Sequence, residues 1–355
     1  MASAGADRYL ALIRGDRRGP LAALARFGLR LLSVPYGAAV RLRNWAFSRG
    51  WKRSFAAPVP VISIGNLTVG GTGKTPCVEY VARLFRQRDV QVAILSRGYG
   101  AKDGPNDEAL VLEQNLPDVP HLQGRDRVEL ARIAVEELES ELLILDDGFQ
   151  HRRLKRDLDI VLVDATNPWG HGALLPRGLL REPVSSLRRA HFVLMTRCDL
   201  VDEAARQAIE ARIRRVAAGV PIAQSRHRPA VWINSAGGTL PLGDTGPRPV
   251  AAFCGLGNPD GFKKTLASLG HEPIAWRVYP DHHAYTGADI DELRAWARAL
   301  PAEALLATTQ KDLVKIGLER LGERELWALR IELELTSAED RLRDTLASAL
   351  KAPTD

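Results

Sequence analysis

Lys74 and Thr75 close a glycine-rich run, Gly65-Asn-Leu-Thr-Val-Gly-Gly-Thr-Gly-Lys-Thr-Pro76, whose residue types suit a nucleoside triphosphate. Gly70, Gly71 and Gly73 leave backbone N–H groups free to close around phosphate oxygens. Lys74 reaches the β- and γ-phosphates, and the Thr75 hydroxyl can ligate Mg²⁺. The candidate nucleotide loop is therefore Thr68, Val69, Gly70, Gly71, Thr72, Gly73, Lys74 and Thr75. It departs from the general P-loop pattern at one place, where Thr68 stands six residues before the lysine in the position usually held by glycine. Two further clusters carry chemistry. Asp146-Asp147-Gly148-Phe149-Gln150-His151 offers a carboxylate for the cation of a P-loop protein. Asp281-His282-His283 offers a base.

Each cluster needs an element that aims it. Val59–Ile64, a short β-branched run, reads as a buried strand leading into the loop, and a helix with apolar residues at Val78, Val81, Ala82 and Phe85 follows near Pro76. Glu141–Leu145 reads as a strand ending at Asp146 and Asp147, and Asp159–Val163 as one ending at Asp164. His191–Met195 leads into Thr196-Arg-Cys-Asp199, while Gln91–Leu95 supplies another strand. This βα alternation predicts a doubly wound, mostly parallel α/β sheet, with ligands gathering at the carboxyl ends of its strands. After a Pro/Gly-rich stretch from Gly237 to Pro249, a smaller α/β domain is expected. Its predicted parts are a strand from Val250, a helix over 261–269, a helix starting near Thr286 and a strand at 304–308 that ends on Thr309-Gln-Lys-Asp312. The expected division is 1–55 as an amphipathic N-terminal part of the first domain, 56–225 as the P-loop domain, 226–249 as a β linker and 250–355 as the smaller domain.

Composition narrows the class. The 355 residues are 45% apolar with a net charge of +6, too apolar and too weakly charged for a disordered chain. Cys77, Cys198 and Cys254 are odd in number and lack CxxC spacing, which argues against a disulfide framework or a structural zinc. The charge is unevenly spread. Residues 1–60 hold eleven Arg and Lys against Asp7 and Asp16, a balance of +9, so the rest of the chain stands at −3. Those cations alternate with Leu21, Leu24, Phe27, Leu31, Leu32, Trp45 and Trp51. Arg26, Arg30, Arg41 and Arg43 interrupt any apolar run long enough to span a bilayer. The pattern predicts an amphipathic helix, kinked near Pro35, lying in the headgroup layer of an anionic membrane. No nucleic-acid motif accompanies the charge, so nucleic acid is not an expected partner.

A P-loop establishes nucleotide use and leaves the acceptor open. Thr196-Arg-Cys-Asp199 is a near miss to the guanine-binding element of a GTPase, and an assembly or partitioning ATPase would tolerate the doubled glycine. The second α/β domain, with polar strand ends, favours a kinase. The motifs in combination then become specific. The loop Asn66–Pro76, the segment Leu95-Ser-Arg-Gly-Tyr-Gly100, Asp147-Gly-Phe-Gln-His151, Leu175-Pro-Arg-Gly-Leu-Leu-Arg-Glu-Pro183, Phe253-Cys-Gly-Leu-Gly-Asn-Pro259, Asp281-His-His283 and Thr309-Gln-Lys-Asp312 occur in one order. Together they resemble the tetraacyldisaccharide 4'-kinase family of the lipid A pathway, in which Thr68 is the normal loop residue.

That resemblance implies transfer of the ATP γ-phosphate to the 4'-hydroxyl of an acylated glucosamine disaccharide 1-phosphate, giving lipid IVA, with Mg²⁺ as cofactor. It implies two Rossmann-like α/β domains joined by a β linker. It also implies a carboxylate–histidine pair at the acceptor hydroxyl, matched here by Asp107 in Asn106-Asp-Glu-Ala109, where the family usually reads Gly-Asp-Glu-Pro, and by His282. Lys74 would join them in catalysis. Thr75, Glu108, Asp147 and Gln150 become candidates to hold the metal, and Arg181 a candidate phosphate contact. With a lipid acceptor, the basic amphipathic start is expected to rest peripherally on the cytoplasmic face of the inner membrane.

Overall fold

The computed structural model describes residues 2–98 and 106–351. Part of the Leu95–Gly100 segment lies outside the described residues. The chain divides into two compact units. The first gathers residues up to 98, Leu116–His227 and the chain from 333; the second gathers 106–115 and Arg228–Glu332. This differs from the division expected from sequence in two respects. Residues 106–115, in the middle of the P-loop region, join the second unit, and residues 333–351 return to the first.

The first unit opens with helices α1 (Ala2–Arg14) and α2 (Pro20–Ser48), then enters the sheet at β1 (Val61–Asn66). Helix α3 (Lys74–Arg86) follows the glycine loop and leads to β2 (Val92–Ser96). Helix α4 (Asp107–Asn115) belongs to the second unit; the first resumes with β3 (His121–Gln123), α5 (Arg127–Glu136), β4 (Leu142–Asp146) and β5 (Leu158–Asp164). β6 (Phe192–Thr196), α6 (Glu203–Val216) and the start of β7 (Ile222–Ile233) complete it, with α10 (Glu339–Lys351) added from the end of the chain. Its strands stand in the order β7-β6-β5-β1-β4-β2-β3, every pair parallel. β1, β2, β4, β5 and β6 are buried at every position, as strands covered by helices on both faces must be, which accounts for their continuous apolar runs.

Register decides what surrounds the loop. Ile64 of β1 is level with Asp146 of β4 and Ile160 of β5, so the glycine loop and the Asp146-Asp147 pair leave the sheet at the same edge. Gly65 keeps them close: a Cβ there would come within 2.7 Å of the Phe149 backbone nitrogen. Gly65→Ala is therefore expected to cost about 1–3 kcal/mol, the usual size of an overpacking penalty. The measurement is the denaturation midpoint, and an unchanged midpoint would show that this approach is not tight.

Helix α2 runs without interruption through Pro35, where the sequence suggested a kink. One face docks on the first unit. Ser33 Oγ donates to the Leu174 carbonyl at 3.0 Å and Tyr36 Oη to the Arg181 carbonyl at 2.9 Å, with Gly37 buried between them against Leu174. The opposite face leaves Leu21, Leu24, Phe27, Leu31 and Leu32 exposed. No helix among the described residues is long and apolar enough to cross a membrane.

The second unit takes β8 (Thr239–Leu240), β9 (Val250–Cys254), α7 (Pro259–Ser268), β10 (Pro273–Val278), α8 (Gly287–Arg298), β11 (Leu305–Thr309), α9 (Gln310–Ile316), β12 (Arg320–Leu321) and β13 (Arg324–Leu335). The strands β10-β9-β11-β13 lie in that order and are parallel. Helix α8 starts where the sequence placed it, because Thr286 and Asp289 form a reciprocal capping box. Phe253, Leu306, Leu293 and Leu326 pack on one side of this sheet, while Trp232, Ala252, Leu266 and Leu305 pack on the other.

Candidate active site

The glycine loop is shaped by backbone conformations that favour glycine. Gly70 and Gly73 take φ of 116° and 86°, and Gly73 caps α3, so the helix begins at Lys74 with its free N–H groups turned to the loop. Gly73 has no room for a side chain either, since a Cβ would sit 2.5 Å from His227 Nε2. The loop is braced from below: Asn66 Nδ2 donates to Thr72 Oγ1 at 2.8 Å, and Thr196 Oγ1 donates to the Thr72 carbonyl at 2.9 Å. Thr68, Thr72 and Thr75 are buried and Val69 is exposed.

Asp147 faces this loop. It stands at φ 53°, in the left-handed region where Asp is among the better-tolerated residues. Its carboxylate lies 3.8 Å from Lys74 Nζ and accepts two 2.7 Å bonds from the Arg181 guanidinium. Burial by itself would raise the Asp147 carboxyl, but the bonds from Arg181 and the charges of Lys74 and Arg127 hold it well below the usual carboxylate range. Arg181, expected at a phosphate, here clamps Asp147 and also reaches the Asn66 side chain and carbonyl. Arg127, which sequence reading passed over, is buried and donates to the carbonyls of Asp146 and Asp147 at 3.2 and 3.4 Å. A lone arginine at a helix start carries no motif, so only the folded chain reveals it.

The donors available to a divalent cation are hard oxygens: the Thr75 hydroxyl, the Asp147 carboxylate and the amide oxygen of Gln150. Gln150 donates its Nε2 to the Asn66 carbonyl at 2.9 Å, and its buried Oε1 has no hydrogen-bond partner among the described residues. Among those residues no group of three or more His, Cys, Asp or Glu forms a cage. Few protein oxygens beside a phosphate loop suit Mg²⁺, which retains several waters and takes phosphate oxygens as ligands.

The second unit brings together the other predicted pair. His282 Nδ1 donates to Asp107 Oδ2 at 2.8 Å, which fixes the tautomer and leaves the Nε2 lone pair available. Asp107 is buried while His282 is more than half exposed. The bond to Asp107 raises the His282 pKa above its ordinary value against the opposing effect of burial. Burial would raise the Asp107 carboxyl in turn, but the bond from His282 and the charge of Lys311 bring it below the ordinary value. His283, the neighbouring alternative, is built into the core edge instead. It stacks on Tyr279 at 4.9 Å between ring centroids and lies 3.2 Å from Asp289.

Glu108 follows Asp107 on α4 and pairs with Lys311 Nζ at 2.9 Å. Gln310 Nε2 donates to Gln114 Oε1 and Asn115 Oδ1, both at 2.8 Å. Thus α4 is pinned on the Thr309-Gln-Lys-Asp312 element, and this contact holds Asp107 opposite His282. The sequence marked that element without giving it this task. Asp312 is buried, accepts from the Gly255 N–H at 2.9 Å and shapes the turn beneath. The guanine-type near miss also resolves: Arg197 pairs with Asp164 at the end of β5 and Asp199 is exposed.

The sequence model of the family described as tetraacyldisaccharide-1-P 4'-kinase matches residues 25–351. A tetraacyldisaccharide 4'-kinase of Anaeromyxobacter sp. (strain K) is 42% identical over 364 residues, covering 95% of this chain and 94% of its own. One of Syntrophus aciditrophicus (strain SB) is 39% identical over 332 residues, covering 86% of this chain and 87% of its own. The crystal structure of the Aquifex aeolicus LpxK, in complex with ATP, superposes with a TM-score of 0.76 at 31% identity, covering 92% of this chain and 99% of that one. With the glycine loop, the Asp147 clamp and the Asp107–His282 pair in place, the chain belongs to the tetraacyldisaccharide-1-P 4'-kinase family.

Proposed function

We infer that the protein transfers the γ-phosphate of ATP to the 4'-hydroxyl of a tetraacylated glucosamine disaccharide 1-phosphate, forming lipid IVA. The observation that carries this reading is the 2.8 Å hydrogen bond between His282 and Asp107. A P-loop alone serves hydrolases equally well, whereas a histidine with one nitrogen tied to a carboxylate and the other available suits a secondary alcohol. That alcohol stays protonated at neutral pH. As its oxygen bonds to the γ-phosphorus and the bond to the β-phosphate oxygen breaks, the proton passes to His282 Nε2, and ADP leaves. Asp107 remains ionised and stabilises the resulting imidazolium. Lys74 and the loop amides meet the charge on the phosphoryl group, the larger catalytic contribution.

Mg²⁺, when bound, supplies positive charge against the β- and γ-phosphate oxygens. Thr75, Asp147 and Gln150 are its proposed holders in the first unit, with Glu108 a further proposed donor once released from Lys311. Labelled ATP tests the function directly. With the tetraacyldisaccharide 1-phosphate present, label is expected in the lipid fraction; label found only as free phosphate would return the protein to the ATPase class.

The proposed location is peripheral, on the cytoplasmic face of the inner membrane. Support comes from the exposed Leu21, Leu24, Phe27 and Leu31 on the outer face of α2, interspersed with arginines, an arrangement suited to the headgroup layer. Leu24→Asp with Phe27→Asp is expected to abolish co-sedimentation with vesicles containing phosphatidylglycerol while leaving turnover of detergent-dispersed acceptor near the parent value. Retained co-sedimentation would refute the membrane contact.

A further inference from the structure

At the carboxyl end of α2 the first unit carries a cation-lined hollow of about 390 Å³. Its walls are Arg43, Lys52, Arg53, His151, Arg152 and Arg153 around Phe47 and Phe55, with no acidic residue among them. Three cations crowd the Phe47 ring: Arg152 at 5.4 Å from its centroid, Arg43 at 5.6 Å and Lys52 at 5.8 Å. Two of them are held rigidly. Arg43 Nη2 donates to the Gln150 carbonyl and Arg152 Nη1 to the Asn44 carbonyl, both at 2.6 Å. Among the described residues, Arg153 alone of the group forms an ion pair, with Asp126 at 3.2 Å. Lys52 and Arg53 are exposed with no ion pair among the described residues. Burial and the neighbouring arginines push the Arg152 pKa down to about 10, against the smaller opposing charge of Glu182.

We propose that this hollow binds the phosphate of an anionic membrane phospholipid. The proposal rests on the reading that α2 lies on the bilayer, and it goes further by assigning a discrete ligand site. Unpaired cations fixed in a concave wall provide charge-assisted donors converging on one anion, which a solvated basic face does not. The surroundings place that anion at headgroup depth. Trp45 and Trp51 meet edge to face at 4.5 Å beside the hollow, both exposed, and tryptophan favours the membrane interface. The hollow sits on the side of α2 that docks, where Arg43 reaches the Gln150 carbonyl, while Leu42 and Trp45 are exposed at the same end of the helix, so a lipid whose chains meet those residues can present its phosphate at the mouth of the hollow. The rigid Arg43 and Arg152 would receive the phosphate oxygens, and Lys52 and Arg53 would close from the exposed side.

The test uses the full chain and a soluble probe, dihexanoyl phosphatidic acid below its micelle concentration, titrated against Trp fluorescence. Lys52→Gln with Arg53→Gln removes two exposed charges that make no ion pair among the described residues, Lys52 touching only the Phe47 ring. Arg18→Gln with Arg30→Gln removes the same charge elsewhere on the N-terminal segment. We expect saturable binding to the parent, about tenfold weaker in the Lys52/Arg53 variant and unchanged in the Arg18/Arg30 variant. Absence of saturable binding, or equal loss in both variants, would overturn the site and leave only diffuse attraction. Inorganic phosphate or glucosamine 1-phosphate binding as tightly as the lipid would overturn the phospholipid assignment, since the occupant would then be a free anion or a sugar phosphate. Vesicle co-sedimentation of the parent is run alongside. Its failure would refute the membrane reading, whereas failure of the soluble titration with intact co-sedimentation would refute only this site.

Discussion

Lys74→Ala is expected to lower turnover by about 10³-fold at saturating ATP, because the lost cation is one that meets charge on the phosphoryl group rather than one that merely binds nucleotide. The geometry makes the effect specific. Lys74 stands at the first position of α3 with its Nζ 3.8 Å from Asp147, so the carboxylate positions the ammonium while Arg181 positions the carboxylate. Asp147→Ala should produce a loss of similar size for a different reason: it removes the proposed metal donor and leaves the Arg181 guanidinium, partly buried, without its anion. The two variants separate in the melting temperature. Lys74→Ala should melt close to the parent, whereas Asp147→Ala should melt lower. Turnover of Lys74→Ala within tenfold of the parent would exclude this lysine from transition-state stabilisation.

The second large effect concerns the proton. His282→Ala is expected to reduce kcat by about 10²–10⁴-fold, the range for a positioned general base, with KM for ATP largely kept because His282 belongs to the second unit and the phosphate loop to the first. The pH profile supplies the sign. His282 accepts a proton only when neutral, and its pKa is raised by Asp107. The rate should therefore climb with pH through that raised value and level off above it. In Asp107→Asn the support for the imidazolium is lost, so the acid limb should move to lower pH while the plateau falls. An unmoved limb in Asp107→Asn would mean that the limb reports a group other than His282.

Much of this was legible in the sequence, for identifiable reasons. Strands buried on both faces are continuous apolar runs, so β1, β4, β5 and β6 could be placed within a residue or two, each ending at the polar residues that gather at the sheet edge. The glycine loop was legible because left-handed backbone at Gly70 and Gly73 requires glycine. Helix α8 announced its own start through Thr286 and Asp289. By contrast, the sequence carries no comparable signal for β13 or α10, and the helix assignment of α2 runs on through Pro35. Arg181, expected at a phosphate, also holds Asp147, a pairing that depends on where Asn66 and Asp147 stand in space.

What the sequence determined by itself was the list of chemical groups: a lysine and a hydroxyl after glycines, carboxylates at strand ends, and a histidine pair preceded by an acid. Those follow from residue type and local spacing, which the chain carries everywhere. Only the tertiary structure decided their partners. Asp107 and His282 are separated by 175 positions and meet because α4 packs on α9 through Gln310 and Asn115. His282 rather than His283 is available because the stacking of Tyr279 and the carboxylate of Asp289 engage the latter. Such choices depend on packing between elements remote in sequence, where no local propensity acts, and the same packing gathers Arg43, Lys52 and Arg152 around Phe47.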